Sequence, residues 1–281
     1  AKGRPSDNPL IVTVSDEKMM ENYVNEVPER AKKLIKHFWP GPLTIILFVK
    51  EGTLPDAVTG GLPTAAFRCP DDEMTHDLIS ELGKPIVGPS ANTSTKPSPT
   101  TAEHVYHDLK GKIAGIIDNG PTEIGLESTI VDLSVETPTV LRPGEITPEE
   151  ISKVLGEEVL MNKGTTQTKG VPKAPGMKYR HYAPSAPVFI VDKEADFSKI
   201  KWDKETGVAA LDEVLDKIDS SNKYSLGKTI DKAAHNLFGA LRYFDSENNI
   251  KRIYVQGFDH GAISPAYMNR LNKAAAGHHF H

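Results

Sequence analysis

Lys2 and Arg4 stand one residue apart on a short loop that Pro5 stiffens, just ahead of the apolar run 11–14. Two cations held at the entrance of a strand suit a polyanionic phosphate, although a Lys-x-Arg pair on its own is ordinarily a solvated surface feature. Arg68 and Arg142 add two guanidinium groups, Arg68 at the end of an apolar strand and Arg142 between a strand and the turn Pro143-Gly144. An arginine fork pairs two hydrogen bonds with a carboxylate or a phosphate, so such groups gathered in a cleft suit a ligand carrying both.

Residues 88–98 leave a short strand expected to be buried and are crowded with hydroxyls. Small side chains let backbone N–H groups come close to an anion, and hydroxyls add short donors around it. A plain Ser/Thr/Pro loop has the same composition, so these residues alone leave the two readings even. Beside Lys2 and Arg4 the loop reads as a triphosphate cradle. Neither G-x-x-x-x-G-K-[ST] nor G-x-G-x-x-G occurs, which sets aside a Walker loop and a dinucleotide fingerprint. Glu127-Ser128-Thr129 precedes a strand, where its hydroxyls serve equally well as turn caps. Asp118 and Glu127 are Mg²⁺ partners by residue type, but the sequence sets neither beside a phosphate, and the metal ligands stay unassigned. Cys69, next to Pro70, has no evident His partner, and no G-x-S-x-G elbow supports covalent hydrolysis.

These residues must be positioned by alternating strands and helices. Apolar spacing predicts strands at 9–14, 43–50, 64–68, 85–88, 113–118, 128–133 and 139–142. It predicts helices at 16–26 started by Ser15, at 28–38, at 71–82 closed by Gly83, and at 101–109. Trp39, Pro40 and Pro42 fix a helix-to-strand corner. Residues 161–186 are polar and aperiodic at their start and read as a linker. Beyond them, strands at 188–191, 207–211 and 252–256, a helix from 230 whose apolar stripe runs from Ala233 to Phe244, and a helix at 265–276 form a second, smaller α/β domain. The expected division is thus 1–160, linker 161–186, 187–276, and a tail 277–281. His278, His279 and His281 in that tail read as a frayed end sooner than a metal site.

The 281 residues, 38% hydrophobic and 25% charged, are enough for about two packed domains. A lone cysteine excludes an intrachain disulfide framework and fits a reducing compartment such as the cytoplasm. The longest apolar run, residues 43–49, falls far short of the ~20 residues a membrane-spanning helix needs. A net charge of -5 argues against general electrostatic binding of nucleic acid.

The ordered set Phe38-Trp39-Pro40-Gly41-Pro42-Leu43-Thr44, Ala66-Phe67-Arg68-Cys69-Pro70, Pro89-Ser90-Ala91-Asn92, Glu127-Ser128-Thr129-Ile130-Val131-Asp132 and Leu141-Arg142-Pro143-Gly144-Glu145-Ile146 resembles the YrdC-like domain of threonylcarbamoyl-AMP synthases. Lys-x-Arg and Ser-x-Asn are the signature pairs of that domain. The segment from Pro175 to Pro184, containing Met177-Lys178-Tyr179-Arg180-His181-Tyr182, is similar to the linker of the longer, two-domain members. The resemblance implies a YrdC-like twisted mixed sheet with flanking helices, and a smaller, Rossmann-like α/β domain after it. It implies condensation of L-threonine, bicarbonate and ATP to threonylcarbamoyl-AMP and pyrophosphate, with Mg²⁺ on the phosphates and tRNA-modification proteins downstream. By analogy Lys2, Arg4, Asn8, Thr64, Ser90, Asn92, Ser98 and Arg142 would face the nucleotide, with Lys2 and Arg4 as the catalytic pair. Thr13, Arg68, Gly88 and Ser128 would surround the threonine, and Tyr179 would close over the ATP.

Two departures stand out. Thr13 occupies a position where the family commonly has His, and a Thr-x-Thr-Val-Tyr-Gly-Leu-like segment expected ahead of Lys2 is absent, as though the chain lacked its N-terminal part. Two other functions share some of these features: an RNA-binding module, and an enzyme making a carbamoyl adenylate from a different carbamate.

Overall fold

In the computed structural model, which describes residues 1–5, 8–162, 172–173, 175, 182–247 and 249–281, the chain forms two compact units that alternate along the sequence. One holds residues 4–89 and 127–178, the other residues 1–3, 90–126 and 179–281.

The first is a mixed-sheet unit. Its strands are β1 (Ile11–Thr13), β2 (Leu43–Phe48), β3 (Thr64–Arg68), β4 (Ile86–Val87), β5 (Thr129–Asp132), β6 (Thr139–Arg142) and β7 (Leu160–Met161), in the order β4-β1-β3-β2-β5-β6-β7. One face buries Val12, Ile45, Phe67 and Val131 against Ala31, Leu34 and Ile35 of the helix Glu29–Phe38 and Ile151 and Leu155 of the helix Pro148–Leu155. Positions 31, 34 and 35 fall on one helical stripe, which is why that helix lies flat on the sheet. Thr147 and Glu150 close a capping box that starts the second of these helices. The opposite face carries only a small apolar cluster of Ile46, Ala66 and Ile130, with Ile11 beside it. Trp39 donates from its indole nitrogen to Leu43 O at 2.8 Å, which holds the expected corner.

Two expectations change in this unit. The strand predicted buried at 85–88 is β4, an edge strand paired to β1, and its Val87 is exposed. The helix predicted at 16–26 runs only from Glu17 to Glu21, and its cap is Asp16, which accepts from Met19 N at 2.7 Å. The apolar residue Val24 instead bridges Val49, so tertiary pairing takes what helical spacing had claimed.

The second unit is built on a parallel sheet of β8 (Val188–Val191), β9 (Thr206–Ala210), β10 (Lys223–Ser225), β11 (Arg252–Gln256) and β12 (His279–Phe280), in the order β10-β9-β11-β8-β12. Every residue of β9 is buried, as a parallel strand covered on both faces requires. The helix Ile230–Ser246 buries the stripe Ala233, Ala234, Leu237, Phe238, Leu241 and Phe244. The tail is not frayed. His279 and Phe280 pair with Ile190 and Val191, and His279 Nδ1 lies 2.7 Å from Asp192 Oδ2. The strand predicted at 113–118 does not form. No described strand pairs with it, and Ile117 is 65% exposed. An apolar run becomes a strand only where a neighbour satisfies its backbone groups.

Candidate functional site

The register of the mixed sheet sets Thr13 level with Arg68, Arg68 with Thr44, Thr44 with Ile130 and Ile130 with Arg142, a row across five adjacent strands. Residues level across a sheet share a face. This is the face that the two long helices leave uncovered, so a polar row borders the small cluster of Ile11, Ala66 and Ile46. At one end of the row Arg142 is 5% exposed and donates from Nε to Ser128 O and from Nη2 to Ser128 Oγ, each at 3.0 Å. The Ser128 hydroxyl also lies 2.7 Å from Thr44 Oγ1. Arg142, expected at the nucleotide, and Ser128, expected at the amino acid, are therefore joined directly. The turn that follows needs glycine, because a Cβ on Gly144 would stand 2.4 Å from Thr129 N.

Arg68 is half-buried, and its only described bond is a long one from Nε to Gly41 O at 3.4 Å. Its two terminal nitrogens donate to no described residue. Desolvation by burial lowers the guanidinium pKa, with Cys69 and Asp72 opposing the shift. A partly desolvated fork with two open donors suits a carboxylate.

Thr64 starts β3, roughly 13 Å from Arg68 along the strand at ~3.3 Å per residue. Carrying the register of Ile11 with Ala66 two residues back sets Pro9 level with Thr64. Thr64, buried, thus lies at the opposite end of the row's face from Arg68, and Asn8, also buried, immediately precedes the residue level with it. Arg4 folds over its own loop, donating to the carbonyls of Asn8 and Pro9. Asn8 Oδ1 is a buried acceptor with no partner among the described residues. Gly88, past β4, borders open space.

The parallel-sheet unit holds the hydroxyl loop. Lys2 Nζ donates to Ser90 O at 2.7 Å and lies 3.4 Å from Ser90 Oγ and 3.5 Å from Asn92 Oδ1. Lys2 O accepts from Ser94 N at 2.8 Å, so Lys2 is laced to the Ser-x-Asn loop through both its side chain and its backbone. Asn92 is buried and donates to Thr93 O and Lys96 O at 2.9 Å each, while Ser90 is exposed. Ser98 is buried at the far end of the loop.

Several supporting residues escaped the sequence reading. Asp108 accepts from Thr93 N at 2.8 Å and from both terminal nitrogens of Arg242, tying the loop to the helix Ile230–Ser246. Lys96 pairs with Asp245 at 2.9 Å. Partners 134 residues apart leave no local signal. Cys69 does have a histidine neighbour, His76 Nε2 at 3.5 Å, contrary to expectation. That nitrogen lies 2.7 Å from Pro70 O, which must take its proton, and burial pushes the thiol up to about 11. The pair is structural. Among the described residues no three His, Cys, Asp or Glu side chains are grouped to hold a metal. Tyr179 lies outside the described residues. Lys173 is inside them, with Nζ 2.8 Å from Asp132 Oδ2 and 3.1 Å from Ser134 Oγ.

A half-desolvated arginine fork on a sheet face has the chemistry that suits a small carboxylate, and a cation-braced hydroxyl loop that which suits a polyanion, groups of the kind an α/β enzyme carries. Residues 1–144 match the Sua5, YciO and YrdC family model described as "Telomere recombination", and residues 146–276 match the model "Threonylcarbamoyl-AMP synthase, C-terminal domain". The threonylcarbamoyl-AMP synthase of Bacillus subtilis is 45% identical over 99% of this chain and 82% of its own length. That of Schizosaccharomyces pombe is 36% identical over 98% of this chain and 78% of its own. The crystal structure of P. abyssi Sua5 complexed with L-threonine is 41% identical with a TM-score of 0.89, covering 100% of this chain and 84% of that one. The chain belongs to the threonylcarbamoyl-AMP synthase family.

Proposed function

We propose that this chain condenses L-threonine, bicarbonate and ATP to threonylcarbamoyl-AMP, releasing pyrophosphate and supplying tRNA-modification proteins in the cytoplasm. The observation that carries the reading is the Arg68 fork, level with Thr13 and Thr44 in a polar row, which offers the threonine carboxylate two donors. Among the described residues no helix is long and apolar enough to cross a membrane.

The chemistry needs no protein nucleophile, consistent with the inert Cys69. The threonine amine adds to bicarbonate with loss of water, giving an N-carboxylate. One oxygen of that carbamate attacks the α-phosphorus of ATP, and the bond to the β-phosphate oxygen breaks to expel pyrophosphate. Catalysis is then positioning and charge: Lys2, Arg4 and Arg142 offset the phosphates, Ser90, Asn92 and Ser98 shape the cradle, and Asn8 and Thr64 meet the nucleoside. Gly88 and Ser128 would complete the surroundings of the amino acid, and Tyr179 would close over ATP. Mg²⁺ neutralises the phosphates when bound. The cradle's hydroxyl and amide oxygens suit an ion carried in by triphosphate and water better than one held in a carboxylate cage.

Pyrophosphate release by the full chain tests this, with each substrate omitted in turn. Release that requires threonine, bicarbonate and ATP together is expected. Equal release without threonine or without bicarbonate overturns it.

A further inference from the structure

Within the parallel-sheet unit, residues 100–107 and the C-terminal half of the helix Ile230–Ser246 line an open-mouthed cavity of about 490 Å³, with Tyr224 of β10 on one side. Ligand pockets commonly measure ~300–1,000 Å³. None of its lining residues belongs to the threonine or ATP positions described above.

Three donors around this cavity have no partner among the described residues. Arg242, 7% exposed, gives its terminal nitrogens to Asp108 and to Pro97 O, but its buried Nε–H is unpaired. His104 Nδ1 accepts from Thr100 N at 3.2 Å, so its proton sits on Nε2, which no described residue accepts. Burial, followed by the nearby Arg242 charge, lowers the pKa of His104 and keeps the ring neutral. The Tyr224 hydroxyl is the third, held protonated by burial.

These donors come without net positive charge. Asp108 neutralises Arg242, Asp245 is paired with Lys96, and Glu103 adds a further negative wall, so a free anion is disfavoured. Two aromatic faces complete the lining, Tyr224 and Tyr243, with ring centroids 5.5 Å apart. Gly239 makes room for the first of them, since a Cβ there would stand 2.8 Å from the Tyr224 hydroxyl oxygen.

We propose that this cavity binds a nucleobase: a neutral, planar, acceptor-rich ring stacked on tyrosine, its carbonyl and ring nitrogens taken by Arg242 Nε, His104 Nε2 and the Tyr224 hydroxyl. A free nucleoside and an unstacked base of single-stranded RNA present the same ring. The site stands apart from the catalytic reading.

Calorimetric titration of the full chain with adenosine, guanosine, cytidine and uridine tests it, alongside fluorescence anisotropy with a ten-nucleotide oligoadenylate. At least one nucleoside or the oligonucleotide should bind, Tyr243→Ala should weaken binding about tenfold, as loss of a stacking face does, and Ser90→Ala, at the proposed phosphate loop, should leave it unchanged. Tyr224→Phe, which keeps the ring and removes one donor, should weaken it severalfold and decides the matter if Tyr243→Ala unfolds. Oligoadenylate binding tighter than adenosine, with the same sensitivity, identifies RNA as the source; adenosine binding without oligonucleotide binding identifies the free nucleoside. Threonine-dependent pyrophosphate release should persist in Tyr243→Ala, which separates this site from the catalytic one. No binding at millimolar concentration, or binding indifferent to both tyrosine variants, overturns the proposal.

Discussion

Arg142 donates to both the carbonyl and the hydroxyl of Ser128, each at 3.0 Å, and so locks the end of β6 to the approach of β5. Thr44 shares the same hydroxyl, which makes three buried side chains, from β2, β6 and the residue before β5, one hydrogen-bonded group. Ser128→Ala is expected to cost about 1–3 kcal/mol, because it strands buried partners. Thr44→Val should cost less, and the double variant should lose less than the sum of the two. Urea unfolding measures all three, and strict additivity would show that the group is not coupled.

Arg68→Ala should weaken threonine binding about tenfold or more while ATP binding changes little, since a charge-assisted hydrogen bond is worth roughly 1.5–3 kcal/mol. Isothermal titration with each ligand separates the two. Equal loss of both ligands would assign Arg68 to folding.

Ser90 and Asn92 should part company. Asn92 is buried and braces two loop carbonyls, so Asn92→Ala should lower the melting temperature as well as activity. Exposed Ser90 braces nothing comparable, so Ser90→Ala should lower pyrophosphate release at an unchanged melting temperature. A Ser90 variant with full activity would make that hydroxyl a spectator.

Burial alone would raise the Asp108 pKa, but the bonds from Arg242, His107 and Thr93 N outweigh it and hold the carboxyl well below the usual carboxylate range. A depressed carboxylate stabilises the fold above its unfolded pKa of ~3.9 and loses that contribution as pH falls toward the folded value. Asp108→Asn, which leaves buried Arg242 uncompensated, should therefore cost roughly 3 kcal/mol at pH 7. Chemical denaturation across pH should show this gap steady down to about pH 5 and closing below about pH 4. A gap that does not depend on pH would remove the carboxylate from the explanation.

Cys69, with its thiol pushed up to about 11, should resist iodoacetamide at pH 8 in the folded protein and react readily once unfolded. Cys69→Ala should keep pyrophosphate release within about twofold. Rapid alkylation of the native thiol would contradict its burial.

How much of this was legible in the sequence depended on how local each cause was. Arg68 at the end of an apolar run and Arg142 before Pro143-Gly144 announced their positions, because strand alternation and turn chemistry operate over a few residues. The Lys2 contact with Ser90 came from the order of motifs and not from spacing. Asp108 with Arg242, and His279 with Asp192, were invisible, since neither partner carries a mark of the other across 134 or 87 residues. The failed strand at 113–118 teaches the same lesson: apolarity nominates a segment, and a neighbour's hydrogen bonds elect it.

The alternation of the two units along the chain bears on how the protein is made. Residues 90–126 leave the ribosome 52 residues before the first part of the 179–281 stretch that they pack with. At ~5–20 residues per second that is a wait of roughly 3–10 s, and Asp108, buried in the finished fold, waits longer still for its partner Arg242. The mixed sheet cannot finish early either, because β5 to β7 follow that segment. Vectorial synthesis thus gives no order in which one half is complete before the other begins.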